Sequence, residues 1–570
     1  MKIPYRKLRL VWVMLLLVFV LVICYIYTVA YKKVNIIPTV NTVADMINGT
    51  YIAGEKVKTL GYYSPNDGGN GEYLISNDGS LKVDNGLVIE LSNGLRAQLL
   101  VNNNMVTAEQ FGAHGDGSTD DSTYIQAAVD SGYEVNFTAE KKYKFIQSGI
   151  YLTHSTQLHG NGATFVVDDT YNPVNYDFVH YLIRYVYGNQ LSRFSVDNLN
   201  IEVNFTDNRY TEQSFVVISP LYIDNVLIDN VNITTNQSCN KVICVWVDRG
   251  CSSFTLRDSK LYNNTLGEEG TALWLTSKTD EVFGKYNVLQ SVLVENSILS
   301  CTTADETLAI WGTNDANIVI NSSLIQSSAK SIGRTRPICI YSVGDNNANF
   351  NVEFNECIIT SECDKKNSNS FYDSLIGVGS NYPSNKFNVS FNNCIINAKI
   401  NGSLIFPICF DSDWSHVEEF DYANPSVNLS FSECSIECNS TITGASPYYY
   451  DTAKLYPAAA WNCEFSNCSI ICETAFAYLL YRGIPQYFVP QITLNDSSIE
   501  IKDAKAVFCG NNYSTVMGLV MNNTKVNAKG IGELVTFEST YYPEVVTQKN
   551  YIETNIINNS YLNGELIGYD

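Results

Sequence analysis

Short phrases of alternating apolar and polar residues recur along most of this chain. Each phrase has six positions, of which the first, fourth and sixth are apolar or small, as in VDNLNI at 196–201 and FNNCII at 391–396. Eleven copies end at positions 201, 233, 261, 299, 325, 359, 396, 436, 470, 499 and 526. A regular array of short β phrases, with a period of about 32 residues, predicts a solenoid.

The phrase itself predicts a corner. Strand side chains alternate between two faces, so inward first and fourth positions need a bend between them. Asn occupies the third position in six of the eleven copies, and Asn tolerates the left-handed backbone conformation that such a bend requires. Each phrase is therefore a strand, a bend and a second strand, and the rest of the period supplies a third strand. Because parallel connections wind right-handed, an all-β, right-handed parallel β-helix is predicted.

The amino-terminal segment has a different pattern. Residues 10–31 carry no charge, four basic residues precede them and two follow. About 20 apolar residues span a bilayer as a helix, and the charge bias places the amino terminus in the cytoplasm. We expect a single-pass plasma-membrane protein with an extracellular C-terminal domain. A cleaved signal peptide is the alternative, although this run exceeds the usual 7–15 apolar residues of such peptides.

A Gly- and Asp-rich segment precedes the repeats. FGAHGDGSTDD at 111–121 runs into STYIQAAVD at 122–130, which predicts a tight turn and then a helix with Asp120 and Asp121 in its first turn. Together with TLGYYSPNDGG at 59–69, it resembles the opening of the rhamnogalacturonase/epimerase-like pectate lyase domain of the pectate-lyase-like superfamily. The resemblance is strong over residues 55–170. It implies an N-terminal capping helix on a right-handed parallel β-helix, polysaccharide as the partner, and a trimer as one possible assembly, as in tailspike-like relatives.

These patterns divide the chain into four parts. We expect a cytoplasmic tip and transmembrane signal anchor at 1–35, and a linker with a small β module at 36–105. The β-helix is expected at 106–530, and a C-terminal cap or tail at 531–570.

Charge and cysteine usage narrow the possible partners. The chain has 58 acidic and 36 basic residues, a net charge of −22, and no basic stripe, so we expect no nucleic acid partner.

Cysteine holds the fourth position of four consecutive phrases, as Cys357, Cys394, Cys434 and Cys468. Stacked small residues at an inward position predict buried core thiols. Disulfides between adjacent coils are the alternative, and no metal site is expected at these cysteines.

Four aromatic residues form the most informative row outside the phrases. Trp246, Trp274, Trp311 and Tyr341 each follow an aliphatic residue, so each ring should point outward where its neighbour points inward. We expect the rings to stack on four successive coils and to offer faces to sugar rings.

Charged residues precede these aromatics. Five positions before the rings lie Lys241, Glu269, Glu306 and Arg336, and Glu268 and Asp305 adjoin the two carboxylates. Glycoside hydrolysis needs two carboxyl groups, one as acid and one as base or nucleophile. The sequence therefore predicts a hydrolase-type site on the outer face, with Glu268, Glu269, Asp305 and Glu306 as catalytic candidates.

Several alternatives remain at this site. The segment around Asp305 is similar to the Gly-Asp-Asp element of polygalacturonase-like relatives, but their His-containing element is absent. A non-catalytic glycan-binding or adhesion protein is the first alternative. A polysaccharide lyase using Arg334 or Arg336 is the second. No cofactor is expected, with calcium as a variant because carboxylates at a coil edge could bind it.

Overall fold

The structure is a computed structural model of the chain. It describes residues 5–31, 37–172, 179–185, 190–206, 214–236, 241–264, 269–276, 289–302, 306–311, 315–329, 337–342, 349–363, 374–380, 385–400, 403–408, 427–444, 461–479, 491–511, 518–538 and 555–567. Two compact units are present. The first comprises Met1–Asn102 with Glu109–Gly112, and the second Asn103–Ala108 with Ala113–Asp570.

The first unit begins with a long helix over Tyr5–Tyr31, whose described side chains at 10–23 and 25 are exposed. Across the described part of the chain, no helix has the length and apolar character needed to cross a bilayer. The membrane anchor therefore stays a prediction from the uncharged run at 10–31.

A small sheet completes the first unit. Its five strands are, in spatial order, Thr39–Val40, Lys56–Thr59, Gly71–Ser76, Arg96–Leu99 and Val88–Glu90. The first pair is parallel and the others are antiparallel. A short helix, Val43–Ile47, carries a capping box in which Thr42 and Asp45 each accept the other's backbone N–H.

The second unit consists of three long sheets, named here I, II and III in the order in which each coil visits them. Sheet I has fifteen strands: Met105–Thr107, Glu134–Asn136, Thr156–His159, Leu191–Asp197, Ile223–Asp229, Ser253–Arg257, Ser291–Glu295, Asn317–Asn321, Asn349–Asn355, Lys386–Asn392, Val427–Ser432, Trp461–Ser466, Gln491–Asn495, Gly518–Asn522 and Asn555–Asn558. Sheet II has sixteen: Asp116–Asp120, Lys142–Phe145, Thr164–Asp168, Asn200–Asn204, Asn232–Thr235, Lys260–Asn263, Ile298–Cys301, Leu324–Ala329, Ile358–Cys363, Ile395–Lys399, Ser435–Cys438, Ser469–Cys472, Ser498–Ile501, Lys525–Ala528, Tyr561–Leu562 and Glu565–Leu566. Sheet III has thirteen: Ile150–Leu152, Val179–Tyr185, Ser214–Ser219, Lys241–Val247, Glu269–Thr276, Leu308–Trp311, Ile338–Ser342, Ser374–Ser380, Ser403–Ile408, Thr441–Gly444, Ala477–Leu479, Phe508–Asn511 and Val535–Glu538.

Within each sheet a strand pairs in parallel with the strand one coil away, as Ile223–Asp229 does with Ser253–Arg257. The exception is the last pair of sheet II, Tyr561–Leu562 with Glu565–Leu566, which is antiparallel. The predicted parallel β-helix is confirmed.

The corner between sheets I and II lies at the third position of every phrase. All eleven third positions have a positive φ of 47–56°: Asn198, Asn230, Asp258, Asn296, Ser322, Glu356, Asn393, Glu433, Asn467, Asp496 and Asn523. A left-handed residue reverses the alternation of side chains, so apolar positions on both sides of it reach the interior. The predicted corner is confirmed in all eleven copies.

Part of the interior is built from stacked identical residues. Phe354, Phe391, Phe431 and Phe465 lie at the same position of consecutive coils, with ring centroids 4.6, 4.7 and 4.8 Å apart and nearly parallel planes. Beside them, the four cysteines at the fourth position are free and buried. Each thiol donates to a backbone carbonyl of the preceding coil, as Cys394 does to Phe354 at 3.4 Å. The structure thus places them as core thiols.

The helix Ser122–Asp130 lies at the start of the second unit. Gln126 uses both amide atoms on the backbone of Tyr151, at 2.8 and 3.0 Å, and so covers the first edge of sheet III. The helix begins one residue after Asp121, so the expectation that Asp120 and Asp121 occupy its first turn is wrong. Asp121 instead accepts from the backbone of His114 and Gly115, because the Gly-rich turn leaves these amides facing inward.

The coils continue beyond residue 530, into the segment for which a cap or tail is predicted. Val535–Glu538, Asn555–Asn558 and Tyr561–Leu562 add strands to sheets III, I and II. Between the last two, Asn559 is again left-handed, with φ 46°. The segment 557–562 is therefore a twelfth phrase.

Candidate functional site

The predicted aromatic row lies on the outer face of sheet III. Each ring follows a fully buried aliphatic residue of the interior: Val245, Leu273, Ile310 and Ile340. Trp246 and Trp274 are register partners, and their rings stack at 5.1 Å with an interplanar angle of 15°. The Trp274 ring contacts Trp311 edge-on at 5.2 Å, and Trp311 contacts Tyr341 at 6.1 Å. These four residues are called the aromatic ladder below.

The register of the ladder differs from the prediction at one step. Trp274 pairs with Ala309, and Trp311 pairs with Thr276, two residues further along the strand. A shift of two residues keeps both rings on the same face, because strand side chains alternate with a period of two. The rings therefore meet edge-on instead of stacking, and the ladder turns at this coil.

Burial varies along the ladder. The three tryptophans are half-buried, while Tyr341 is 5% exposed, so the expectation of an accessible ring at Tyr341 is wrong, although it lies on the predicted face. The Trp246 indole donates to the Thr276 hydroxyl at 3.1 Å. Within the described part of the chain, the indole N–H groups of Trp274 and Trp311 are buried and have no acceptor. A buried donor without an acceptor costs about 1–3 kcal/mol.

Glu306 lies just before the strand Leu308–Trp311 and is 5% exposed, so its predicted position on the accessible outer face is corrected. Burial raises the pKa of the neighbouring Cys301 thiol to about 12, and the Glu306 carboxylate adds to that rise. The carboxyl group is thus enclosed next to the interior, on the coil that carries Trp311.

The alignment of the predicted carboxylates also changes. Lys241 and Glu269 are register partners, as predicted. Leu273 pairs with Leu308, however, so the same register sets residue 306 opposite residue 271. Glu269 and Glu306 are therefore not ladder partners.

Other predicted site residues fall outside the described part of the chain. These are Glu268, Asp305, Arg334 and Arg336, together with the side chains of Lys241 and Glu269. Their roles stay predictions. Among the described residues, no group of three or more His, Cys, Asp or Glu is arranged to hold a metal ion. Calcium binding by the four predicted carboxylates stays a prediction, because only the Glu306 side chain is described.

Sequence reasoning missed Arg184 on the same face. Arg184 pairs with Tyr151 on the preceding coil and with Ser219 on the following coil. Ser219 comes directly after Ile218, just as Trp246 comes directly after Val245, and Ile218 pairs with Val245. Arg184 therefore belongs to the outer row that continues into the ladder. Its guanidinium lies over the rings of Tyr151 and Tyr181, at 5.8 and 4.9 Å. The signal was present, since Arg184 follows an inward aliphatic just as each ladder residue does.

Comparison with known proteins gives similarities of fold. No protein-family model and no curated protein sequence matches the chain. Among solved structures, the gp42 tailspike of Acinetobacter phage vb_AbaP_AS12 is 14% identical, with 91% of this chain and 78% of that chain covered and a TM-score of 0.46.

Two further solved structures show a similar likeness. The gp49 tailspike of Acinetobacter baumannii bacteriophage Fri1, a capsular polysaccharide depolymerase, is 13% identical over 93% of this chain and 76% of that one, with a TM-score of 0.40. Pantoea stewartii WceF, a glycan biofilm modifying enzyme, is 15% identical over 60% of this chain and 49% of that one, with a TM-score of 0.30. At these values none of the three assigns a residue role to this chain.

Proposed function

We propose that the aromatic ladder binds a polysaccharide, and that the protein acts on or adheres to glycans at the cell surface. The observation that carries the proposal is the ladder itself: Trp246, Trp274 and Trp311 lie in continuous ring contact on three successive coils, each half-buried. The half-buried aromatic surface along three coils suits a carbohydrate, because each sugar ring offers an apolar face and a polar edge.

The two indole N–H groups without an acceptor support the same ligand. In the described residues neither Trp274 nor Trp311 has an acceptor for its N–H, and sugar hydroxyl oxygens are acceptors. A change of indole rotamer on binding would satisfy donors that cost free energy in the unbound protein. The motif at 111–121 supports a relationship to the pectate-lyase-like superfamily, which we propose on that resemblance. The anchor proposed at residues 10–31 would hold the β-helix outside the cell.

Glycoside hydrolysis is the second candidate, and Glu306 is the observation that favours it. Hydrolases of this type need a protonated acid beside the scissile bond and a second carboxylate. Glu306 offers an enclosed carboxyl on the coil of Trp311, and Glu268, Glu269 or Asp305 would supply the partner. The lyase alternative would use Arg334 or Arg336.

The test combines binding and turnover on a panel of polysaccharides. Trp274→Ala should weaken binding by up to about tenfold, because a ring contact contributes about 0.5–1.5 kcal/mol, while Trp274→Phe should retain part of it. Tyr262→Ala is the matched control, since Tyr262 is a half-buried aromatic on the outer face of sheet II. Equal effects of Trp274→Ala and Tyr262→Ala would refute a ladder site.

Turnover separates the candidate reactions. A hydrolase releases reducing ends, a lyase also produces an unsaturated sugar that absorbs ultraviolet light, and an adhesin does neither. Glu306→Gln should abolish hydrolysis and preserve binding, because an amide cannot transfer the proton. Full hydrolytic activity in Glu306→Gln would exclude Glu306 as the acid.

A further inference from the structure

The outer face of sheet II carries two adjoining grooves that no step of the proposed function uses. One has a volume of about 550 Å³ and is lined from Gln326 to Lys502. The other, of about 560 Å³, is lined from Ser469 to Gly564. Strands Ser469–Cys472 and Ser498–Ile501 contribute residues to the lining of the second groove, and Glu473 and Lys502, just beyond these strands, line the first. The grooves therefore follow one another along the β-helix axis over roughly 30 Å, at about 4.8 Å per coil.

The floor of the first groove is a row of polar side chains. Gln326 pairs with Thr360, Thr360 with Asn397, and Asn397 with Glu437, so amide, hydroxyl and carboxylate groups repeat at coil spacing. The amide and hydroxyl groups both donate and accept hydrogen bonds, and the carboxylate accepts them. Such a row suits a ligand that presents hydroxyl groups at short, regular intervals.

An aliphatic row borders this floor. Leu324 pairs with Ile358, and Ile358 with Ile395, and the last two are 43% and 47% exposed. Sugar rings have apolar faces as well as hydroxyl groups. An aliphatic row beside a hydroxyl-binding row therefore matches both sides of a sugar.

The charges of the groove nearly cancel. Two ion pairs are present: Lys399 Nζ lies 3.4 Å from Glu362 Oε1, and Lys502 Nζ lies 2.8 Å from Glu437 Oε1. This balance contrasts with the net charge of −22 for the whole chain. A balanced groove gives no preference for a strongly charged polymer, which favours a neutral ligand.

The position on a sheet face argues against a peptide strand. Extended peptides add to the edge of a sheet, where unpaired backbone groups are available. On the face of sheet II the backbone is paired with both neighbouring coils, as Ile358–Cys363 is with Leu324–Ala329 and Ile395–Lys399. Recognition must come from side chains, as it does for sugars.

We propose that the first groove, lined from Gln326 to Lys502, is a second glycan-binding site on a different face from the ladder. It would hold a neutral polysaccharide lengthwise along the β-helix. The proposal shares only its class of ligand with the proposed function, and it stands whether or not the ladder turns over its substrate. A chain held along the axis would keep the protein on a polymer while the ladder engages another segment.

Affinity electrophoresis of the full chain through gels containing dextran, mannan, xylan or β-1,3-glucan tests the proposal. The double variant Thr360→Val with Asn397→Leu removes polar groups at nearly constant volume. It should weaken retardation in at least one gel by about tenfold, from the loss of two hydrogen bonds. The matched control is Thr234→Val, since Thr234 is an equally half-buried outer residue of sheet II, well before the groove. It should leave the retardation unchanged.

Trp274→Ala separates the two sites. If the groove binds glycan, Trp274→Ala should retain groove-dependent retardation, and adding the groove double variant should remove it. Three results would refute the proposed groove site. These are no retardation of the wild type in any of the four gels, complete loss of retardation with Trp274→Ala alone, or equal effects of Thr360→Val/Asn397→Leu and Thr234→Val on retardation. A wild-type oligomer that dissociates on Ile395→Lys would also overturn it, by showing that a second copy covers this face.

Discussion

Replacing Phe391 with Ala should destabilise the β-helix locally and strongly. Phe391 is fully buried between Phe354 and Phe431, with centroid distances of 4.6 and 4.7 Å. Truncating a core Phe costs about 3–5 kcal/mol. Two ring pairs are lost at once, each worth about 0.5–1.5 kcal/mol beyond buried area, so we expect a loss near the upper end of that range.

The matched control is the preceding residue. Ser390 points outward from the same strand and is half-buried, so Ser390→Ala should change the free energy of unfolding by less than about 0.5 kcal/mol. Phe391→Leu should fall between the two, because it keeps most of the apolar contact.

Hydrogen exchange with mass spectrometry is the suitable assay, because coils of a solenoid contact only their neighbours and need not unfold together. Phe391→Ala should reduce amide protection in the adjacent strands Asn349–Asn355 and Val427–Ser432, while the distant strand Ile223–Asp229 keeps it. Equal loss of protection in all three strands would refute the local account. A loss no larger than that of Ser390→Ala would show that the ring is not part of the core.

Three further predictions follow from other features. Glu433 holds a left-handed corner with φ 56°, so Glu433→Asn should raise the free energy of unfolding, measured with urea, by up to about 1 kcal/mol; a lower value would contradict the corner's role. Burial raises the pKa of Cys251 and Cys438 from 9.0 to about 12. Unfolded thiols release their protons first, so the stability present below pH 9 should fall as pH rises from 9 to 12; replacing both with Ala should flatten that decline. If residues 10–31 are an anchor, full-length protein should fractionate with membranes, and a soluble species beginning near residue 31 would show cleavage instead.

The sequence predicts the parts of this fold that repeat locally. The corner could be found because each phrase contains both the inward residues and the left-handed position between them, as in Asn393 beside Phe391 and Cys394. Stacking then follows from the period alone, since equal positions on successive coils lie about 4.8 Å apart. The buried free thiols and the phenylalanine stack were predictable for that reason.

The candidate site was less predictable because the repeated phrase covers only sheets I and II. The phrase therefore does not fix which residues of neighbouring sheet III strands pair with each other. Loops of varying length precede its strands, so counting back from the phrases could not detect the two-residue shift that pairs Trp311 with Thr276. The same shift removes Glu306 from the row of Glu269. Burial of Glu306 and Tyr341 depends on what covers the outer face, which strand alternation does not encode.

The left-handed corner also confines variation in length to one side of each coil. Asn296 and Ser322 are 26 residues apart and Asn393 and Glu433 are 40 apart, yet all four residues have φ between 47° and 56°. Insertions and deletions can therefore accumulate in the connections that enter and leave sheet III without disturbing sheets I and II. The molecule therefore separates a regular frame from a rim of variable length, and residues added to the rim leave the frame unchanged.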